Sequence, residues 1–356
     1  MKTHEEIGLL TSGYTATRSR APLRISFCGG GTDVPPYPEL YGGCVLSCTI
    51  DKYAYVSVRN HAQPQIRVIS EHQGIDVLFD EAGGGHLEGK LDLAQAIFRR
   101  FRSGGLECFI QSDAPPGSGL GSSSSMIVAL IEALSRHQGL HLTNYQKADL
   151  AFNIERNDLG IIGGLQDQYA AAFGGFNFIE FTSSGVYVTP LRLSTELLSE
   201  LHYHLLLCYT GTTRLSSNIL NEQTDNVMRE EGRVMESLSG LKALTIELKR
   251  ALLRGRLHEF GDLLDQAWQL KRHLASGVSN EQIETLYDMA KAAGAVGGKI
   301  LGAGGGGHLL LFVPFTKRGR VREAMESVGA RIVDFQFEEH GATSWLTTED
   351  TWISRD

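Results

Sequence analysis

Residues 115–125 read PPGSGLGSSSS, and the segments on either side decide what that tract can be. Residues 106–111 before it (LECFIQ) read as a strand. MIVALIEALSRHQ after it puts Ile127, Leu130, Ile131 and Leu134 on one face of a helix that begins within the serines. A loose Gly/Ser tract is usually a flexible turn, but one held between a strand and an apolar helix is a built loop. Its glycines let backbone amides approach a ligand without a Cβ in the way, and the first helical turn offers unpaired N–H groups at the positive end of its dipole. The tract predicts an anion site, with serine hydroxyls as further donors or as a ligand to Mg²⁺. GxxxxGK[ST] is absent, which excludes the Walker-type P-loop fold.

Two more glycine clusters punctuate the chain. Gly29-Gly30-Gly31-Thr32-Asp33 follows an apolar strand, LRISFC. It suits either a backbone that passes close to a substrate oriented by one carboxylate, or a turn capped by Asp33. GAGGGG at 302–307 formally matches GxGxxG, yet a strand (HLLLFV) follows where the dinucleotide fingerprint needs a helix. Rossmann binding is rejected, leaving a close backbone approach to a ligand or another loop, or a structural turn. Glu155 and Asp167 flank the loop between them. Phosphoryl transfer needs one group to hold Mg²⁺ and a second carboxylate near the acceptor hydroxyl; taken alone, two such acids are solvated or capping residues. Arg24 lies inside a predicted strand, which means either an edge position or a partner in a cleft.

The 356 residues predict two lobes of about 150–200 residues, with a boundary near 190. Strands are expected over 23–28, 43–59, 66–70 and 77–79, and helices over 91–101 and 145–157. Beyond the boundary, long amphipathic helices are expected over 221–253 and 257–275, a shorter one over 280–293, then strands in HLLLFV and RIVDFQF. A net charge of −8 with no basic cluster argues against nucleic acid or an anionic membrane as partner. Cys28, Cys44, Cys48, Cys108 and Cys208 are too few and too scattered for a disulfide framework and read as buried thiols. The twelve histidines form no HExxH, and GxSxG is absent. No apolar run approaches the roughly 18 residues of a membrane span, and the polar N-terminus is no signal peptide, so a cytoplasmic protein is expected.

In this order and spacing the three glycine regions resemble the GHMP kinase superfamily over residues 21–337. Ala21-Pro22-Leu23-Arg24 through Asp33 corresponds to its first motif, 115–125 to its second, and 299–307 to its third. RISFCGGGTDVPPYPELYGGCVLSCTIDKY and GGLQDQYAAAFGGFNFIEF are similar to the branch that holds the D-glycero-D-manno-heptose 7-phosphate kinases, with fucokinase domains as relatives. Galactokinases carry Glu-His before the Thr-Asp of the first motif; Gly30-Gly31 stand there in this chain, which argues against galactose.

The resemblance implies an α+β fold of two lobes. After an extension over 1–20, a β-α-β lobe resembling ribosomal protein S5 domain 2 spans 21–190, and a ferredoxin-like lobe spans 191–356. It implies an ATP-dependent kinase that places the γ-phosphoryl on the anomeric hydroxyl of a sugar, with ATP and Mg²⁺ as cofactors. The acceptor it points to is D-glycero-D-manno-heptose 7-phosphate, for nucleotide-sugar synthesis. Carried over position by position, Pro116, Gly117, Ser118, Gly119, Leu120, Gly121, Ser122, Ser123 and Ser124 hold the nucleotide. Ser123 and Glu155 hold Mg²⁺, Asp167 faces the acceptor hydroxyl, and Arg24 stabilises the active carboxylate or the transferred charge. Gly30, Gly31, Thr32, Asp33, Gly164, Gln166, Gly304, Gly305 and Gly306 form the sugar side. For a distal phosphate, Lys52, Arg59, Arg156, Arg214 and Lys299 all stand as candidates. The alternatives are a kinase of fucose or another long-chain sugar, and a non-catalytic sugar sensor; the joint presence of Ser123, Glu155, Asp167 and Arg24 argues against a sensor. Oligomeric state is not legible.

Overall fold

Thirteen strands and eleven α-helices, built on two sheets, account for most of residues 16–70, 74–79, 92–212 and 217–348, the part of the chain that the computed structural model describes. In chain order they are β1 (Ala16–Cys28), α1 (Tyr37–Tyr41), β2 (Gly43–Asn60), β3 (Ile66–Ser70), β4 (Ile75–Phe79), α2 (Asp92–Arg100), β5 (Leu106–Ser112), α3 (Ser122–His137), α4 (Asn144–Asn153), α5 (Gln166–Phe173), β6 (Phe176–Thr182), β7 (Gly185–Pro190), α6 (Thr195–His204), β8 (Leu205–Tyr209), α7 (Ser217–Met228), α8 (Gly232–Leu253), α9 (Leu257–Lys271), α10 (Glu281–Ala293), β9 (Gly297–Ile300), β10 (His308–Phe312), α11 (Arg318–Ser327), β11 (Arg331–Val333), β12 (Phe337–Glu338) and β13 (Thr343–Thr347).

β1 is longer than the expected 23–28, so residues 16–20 of the anticipated extension belong to the sheet. They escape a hydrophobicity reading because the inward positions are hydroxyls: Thr17 and Ser19 are buried, and Ser19 donates to the Ala129 carbonyl at 2.6 Å. The expected helix over 221–253 is two helices, α7 and α8, broken where Glu230 takes φ +50 and the Glu231 carboxylate caps the Val234 amide at 2.7 Å. A side-chain cap replaces the Gly or Pro that would have marked the break. Residues 145–157 begin as a helix, α4, but close in a π-helical turn over Ile154–Asp158.

The large sheet runs β13-β1-β2-β5-β3-β4, with β6 and β12 also pairing with β2 and β7 with β6; β3 and β5 are parallel, the other pairs antiparallel. The small sheet is antiparallel in the order β11-β8-β10-β9. Taking its strands in chain order gives β-α-β-β-α-β with spatial order 4-1-3-2, the ferredoxin-like arrangement. RIVDFQF divides between the sheets, as β11 and β12, and β13 then covers the outer edge of β1. The segment after residue 190 therefore supplies strands to both lobes, and β1 is spared an open edge.

One core crosses between the lobes. Leu23, Ile25 and Phe27 alternate along β1 into a cluster with Phe260 and Trp268 of α9, and the Phe27 and Phe260 rings lie 5.4 Å apart. Each such side chain contributes about 1.5–3 kcal/mol on burial, so the lobes are fused at the strand that carries the first motif. The intervening Arg24 is turned by the period-two alternation away from that cluster. All five cysteines are buried and free. Among the described residues no helix is long and apolar enough to cross a membrane.

Candidate active site

Gly117, Gly119 and Gly121 all take positive φ (+77, +80 and +76), and they alternate with Ser118 and Leu120, whose side chains are buried. The second motif thus turns bare backbone toward a cleft and anchors itself by every other side chain. Gly121 is the left-handed N-cap of α3 and no side chain caps that helix, which leaves its first-turn amides for an anion. The serines are already divided among tasks. Ser122 donates to the Pro115 carbonyl (3.1 Å), Ser125 to Pro22 (2.9 Å) and Ser124 to Glu155 Oε2 (3.0 Å). Ser123 is exposed on the cleft wall, and its hydroxyl has no partner among the described residues.

The third glycine run is the turn of the β9–β10 hairpin and lies against the second motif. A Cβ on Gly302 would come within 2.7 Å of Gly119 Cα, one on Gly119 within 2.6 Å of the Leu301 carbonyl, and one on Gly307 within 2.5 Å of the Ser118 carbonyl. Only glycine backbones approach this closely. Of the readings left open by the sequence, close approach to another loop holds.

Arg24 sits where the first motif meets both. Its amide donates to Leu120 (2.9 Å); its Nε and Nη2 fork onto Asp167 Oδ1 and Oδ2 at 2.8 and 2.9 Å, and Nη1 donates to the Gly119 carbonyl. The arginine side chain is 4% exposed and the carboxylate 24%, so the strand arginine has its partner in a cleft, with the carboxylate facing solvent. Asp167 stands in the first turn of α5, where the helix dipole favours negative charge.

On the far side Asp33 is buried. Oδ1 accepts from the Gly31 amide (2.9 Å), and Oδ2 from the Gln166 amide and Nε2 (3.2 and 3.0 Å). Burial still pushes its carboxyl above the ordinary range. Asp33 therefore does cap its own turn, and it also ties that turn to the start of α5. Gln166 Oε1 is buried without a partner among the described residues, an acceptor available to a hydroxyl ligand. Glu155, in the π-helical turn, is 3% exposed and bonds Ser124 and the Gln168 amide. Burial raises its carboxyl too.

Arg24, Asp33, Glu155 and Asp167 line one cleft with Gly30, Gly31, Gly117, Gly119, Gly121, Ser122, Ser123, Ser124, Gly164, Gln166, Gly304 and Gly306. Pro116, Ser118, Thr32, Leu120 and Gly305 do not line it. Thr32 bonds the Gly29 and Cys44 carbonyls, the Gly305 amide bonds Val278, and Ser118 and Leu120 point into the protein. Of the five basic candidates, Arg156 lines the cleft, its guanidinium held by the Ile161 (2.6 Å) and Gly164 (3.1 Å) carbonyls. Lys52 pairs with Asp51, Arg59 with Glu107, and Lys299 is buried on the Ser26 carbonyl; Arg214 lies outside the described residues. Sequence reasoning missed Gln168 and the cleft residues Gln223 and Lys271. The last two come from helices of the second lobe, and no local motif marks them.

Residues 90–175 match the model of the GHMP kinases N-terminal domain and residues 248–331 that of the GHMP kinases C-terminal domain. The D-glycero-alpha-D-manno-heptose 7-phosphate kinase of Campylobacter jejuni is 35% identical over 92% of this chain and 98% of its own length. The chain belongs to the GHMP kinase family. A crystal structure of a D-glycero-D-manno-heptose 1-phosphate kinase from Bacteroides thetaiotaomicron superposes with a TM-score of 0.77 at 32% identity, covering 92% of this chain and 98% of that one. Lactococcus lactis galactokinase complexed with galactose shares the fold at 21% identity, with a TM-score of 0.76 over 95% of this chain and 99% of its own. This GHMP kinase is accordingly an ATP-dependent phosphotransferase with a hydroxyl acceptor, in the two-lobe α+β fold of that family.

Proposed function

We propose that this GHMP kinase transfers the γ-phosphoryl group of Mg²⁺-ATP to the anomeric hydroxyl of D-glycero-D-manno-heptose 7-phosphate, supplying a nucleotide-sugar route in the cytoplasm. The observation that carries the reading is the convergence of three glycine loops on the Arg24–Asp167 pair, in a chain similar over nearly its whole length to a heptose 7-phosphate kinase. Gly117, Gly119, Gly121 and the first turn of α3 cradle the triphosphate. Asp167 accepts a hydrogen bond from the sugar hydroxyl and orients it, and Arg24 holds that carboxylate in one rotamer. Asp33, Gln166 and Gly164 receive the sugar, with Gly30 and Gly31 forming the adjoining wall of the cleft.

The residues present fit Mg²⁺: a hydroxyl at Ser123 without a protein partner, and a buried carboxylate at Glu155. Few protein ligands suffice, because Mg²⁺ keeps waters and phosphate oxygens. When bound it neutralises charge on the β- and γ-phosphates.

Purified protein incubated with Mg²⁺-ATP and a panel of free and phosphorylated sugars, followed by ADP release, tests the assignment. Turnover confined to heptose 7-phosphate is expected. Faster turnover of fucose would replace the substrate, and sugar binding with no ADP from any member of the panel would overturn the catalytic reading.

Glu155→Gln separates stability from activity. Ser124 can rotate, and Gln168 has a buried Oε1 without a partner, so both hydrogen bonds survive an amide. A carboxyl raised by burial favours the folded state only while protonated, and that contribution disappears as pH rises past the ordinary carboxylate value of about 4.3 and through the raised one. The variant is expected to melt at or above the wild-type temperature at neutral pH, with the advantage shrinking toward pH 4, while Mg²⁺-dependent turnover falls by about 10²-fold or more. Calorimetric melts across pH, with an ADP-release assay, check both halves.

A further inference from the structure

Lys271, the last residue of α9, is 4% exposed and lines the cleft. Its ammonium donates to the Ile300 carbonyl at 2.9 Å and the Gly302 carbonyl at 2.5 Å, bracketing the entry to the third glycine loop. An ammonium has three donors, and two are used. No carboxylate pairs with it among the described residues. The charged and titratable groups that face it are Lys299 from β9, Arg24 and the Cys28 thiol from β1, and Asp33 from the loop after β1. Arg24 is itself committed to Asp167, Lys299 adds a second buried positive charge, and Cys28 is held in its neutral form by burial. Asp33 alone opposes them, and its oxygens already accept from three other donors.

A buried charge without a partner costs several kcal/mol. Placed where a polyanion must bind, the same charge is compensated only when the ligand arrives, and in a site of low polarity that interaction is strong. The position of Lys271 suits this. Gly302, whose carbonyl it holds, rests on Gly119, and the Gly119 carbonyl accepts from Arg24. The lysine therefore stands directly behind the junction of the donor loop, the third loop and the reacting pair.

We propose that Lys271 is a positioning residue of the phosphoryl-transfer site: it fixes the third glycine loop against the donor loop through two carbonyls, and it lends the bound polyphosphate a positive charge that no protein carboxylate neutralises. The proposal rests on the kinase activity and not on the identity of the sugar.

The test uses full-length Lys271→Met and Lys271→Gln, with the non-hydrolysable ATP analogue AMPPNP and Mg²⁺ as ligand, so that no acceptor is needed. Affinity is read by titration calorimetry in two buffers of different ionisation enthalpy, and stability by thermal melts. Removing the unpaired buried cation relieves its desolvation cost and so offsets the two hydrogen bonds lost at the Ile300 and Gly302 carbonyls, and the melting temperature is expected to change little. AMPPNP affinity is expected to fall by at least about tenfold in both variants, equivalent to about 1.4 kcal/mol. Burial holds the Lys271 ammonium well below the usual lysine range in the free enzyme, and an arriving polyanion raises it again. Wild-type protein should therefore take up protons on binding AMPPNP at a pH between the lowered and the usual lysine value, and the variants should take up fewer, the remainder coming from Lys299, itself lowered to about 8. A merely structural lysine would lower the melting temperature while leaving affinity and proton uptake at wild-type values. That result overturns the proposal, and wild-type affinity in Lys271→Gln overturns the role of the charge.

Discussion

Asp167→Asn should abolish most turnover, by about 10²–10⁴-fold, while AMPPNP still binds. The asparagine keeps the size of the side chain but presents a donor where Arg24 also donates, so one arm of the fork is lost and the hydroxyl-orienting charge with it. The geometry adds a consequence for stability. Arg24 is nearly fully buried and would keep only the asparagine oxygen and the Gly119 carbonyl as side-chain acceptors, with no anion to balance its charge. Breaking a buried pair on one side costs about 3–5 kcal/mol; since Asp167 is a quarter exposed, water reaches the site and the lower end is expected. The melting temperature should fall measurably. Wild-type rates in this variant would remove Asp167 from the mechanism. Arg24→Lys should follow the same course, because an ammonium cannot fork onto both carboxylate oxygens.

Gly164→Ala is expected to close the sugar side alone. The new methyl would collide with Asp33 Oδ2 and lie 2.6 Å from its Cγ, and three donors prevent that carboxylate from moving aside. Displacing a group that positions the acceptor by about an ångström costs on the order of 10²-fold. The loss should appear in kcat/KM for the sugar, with KM for ATP unchanged. Gly232→Ala, where a Cβ meets nothing within 4 Å, is the control. An equal loss of ATP affinity, or none in either substrate, would show that Gly164 and Asp33 do not form the acceptor wall.

The glycine loops were legible because each is a local conflict between backbone and side chain: a strand, a run without Cβ, then a helix or strand. Their reach was not. Pro116, Ser118, Thr32, Leu120 and Gly305 belong to the motifs by position but do not line the cleft: Ser118, Thr32, Leu120 and Gly305 are buried, since a loop that presents every other residue to a ligand must bury those between, and Pro116 is exposed outside it. The serine run could not say which hydroxyl was unused; that depended on Pro115, Pro22 and Glu155 occupying its neighbours. The π-helical turn that carries Glu155 leaves no mark in hydrophobic periodicity, because its one-residue insertion is local. The break between α7 and α8 was hidden for a similar reason: a glutamate cap looks like any other surface acid.

Residue pattern alone determined the strand–loop–helix form of the second motif, the exclusion of Walker and dinucleotide folds, the buried thiols and most strands and helices. All of these depend on periods of two and 3.6 or on glycine conformations within a few residues. Only the tertiary structure decided that the third loop packs on the second, that Arg24 is paired with Asp167, and that Lys271 and Gln223 complete the cleft from helices of the second lobe. The loop packing, the ion pair and the Gln223 contact to Gly31 each join residues more than a hundred positions apart. Their energy comes from desolvated charge and close backbone approach, and neither exists until the lobes share one core.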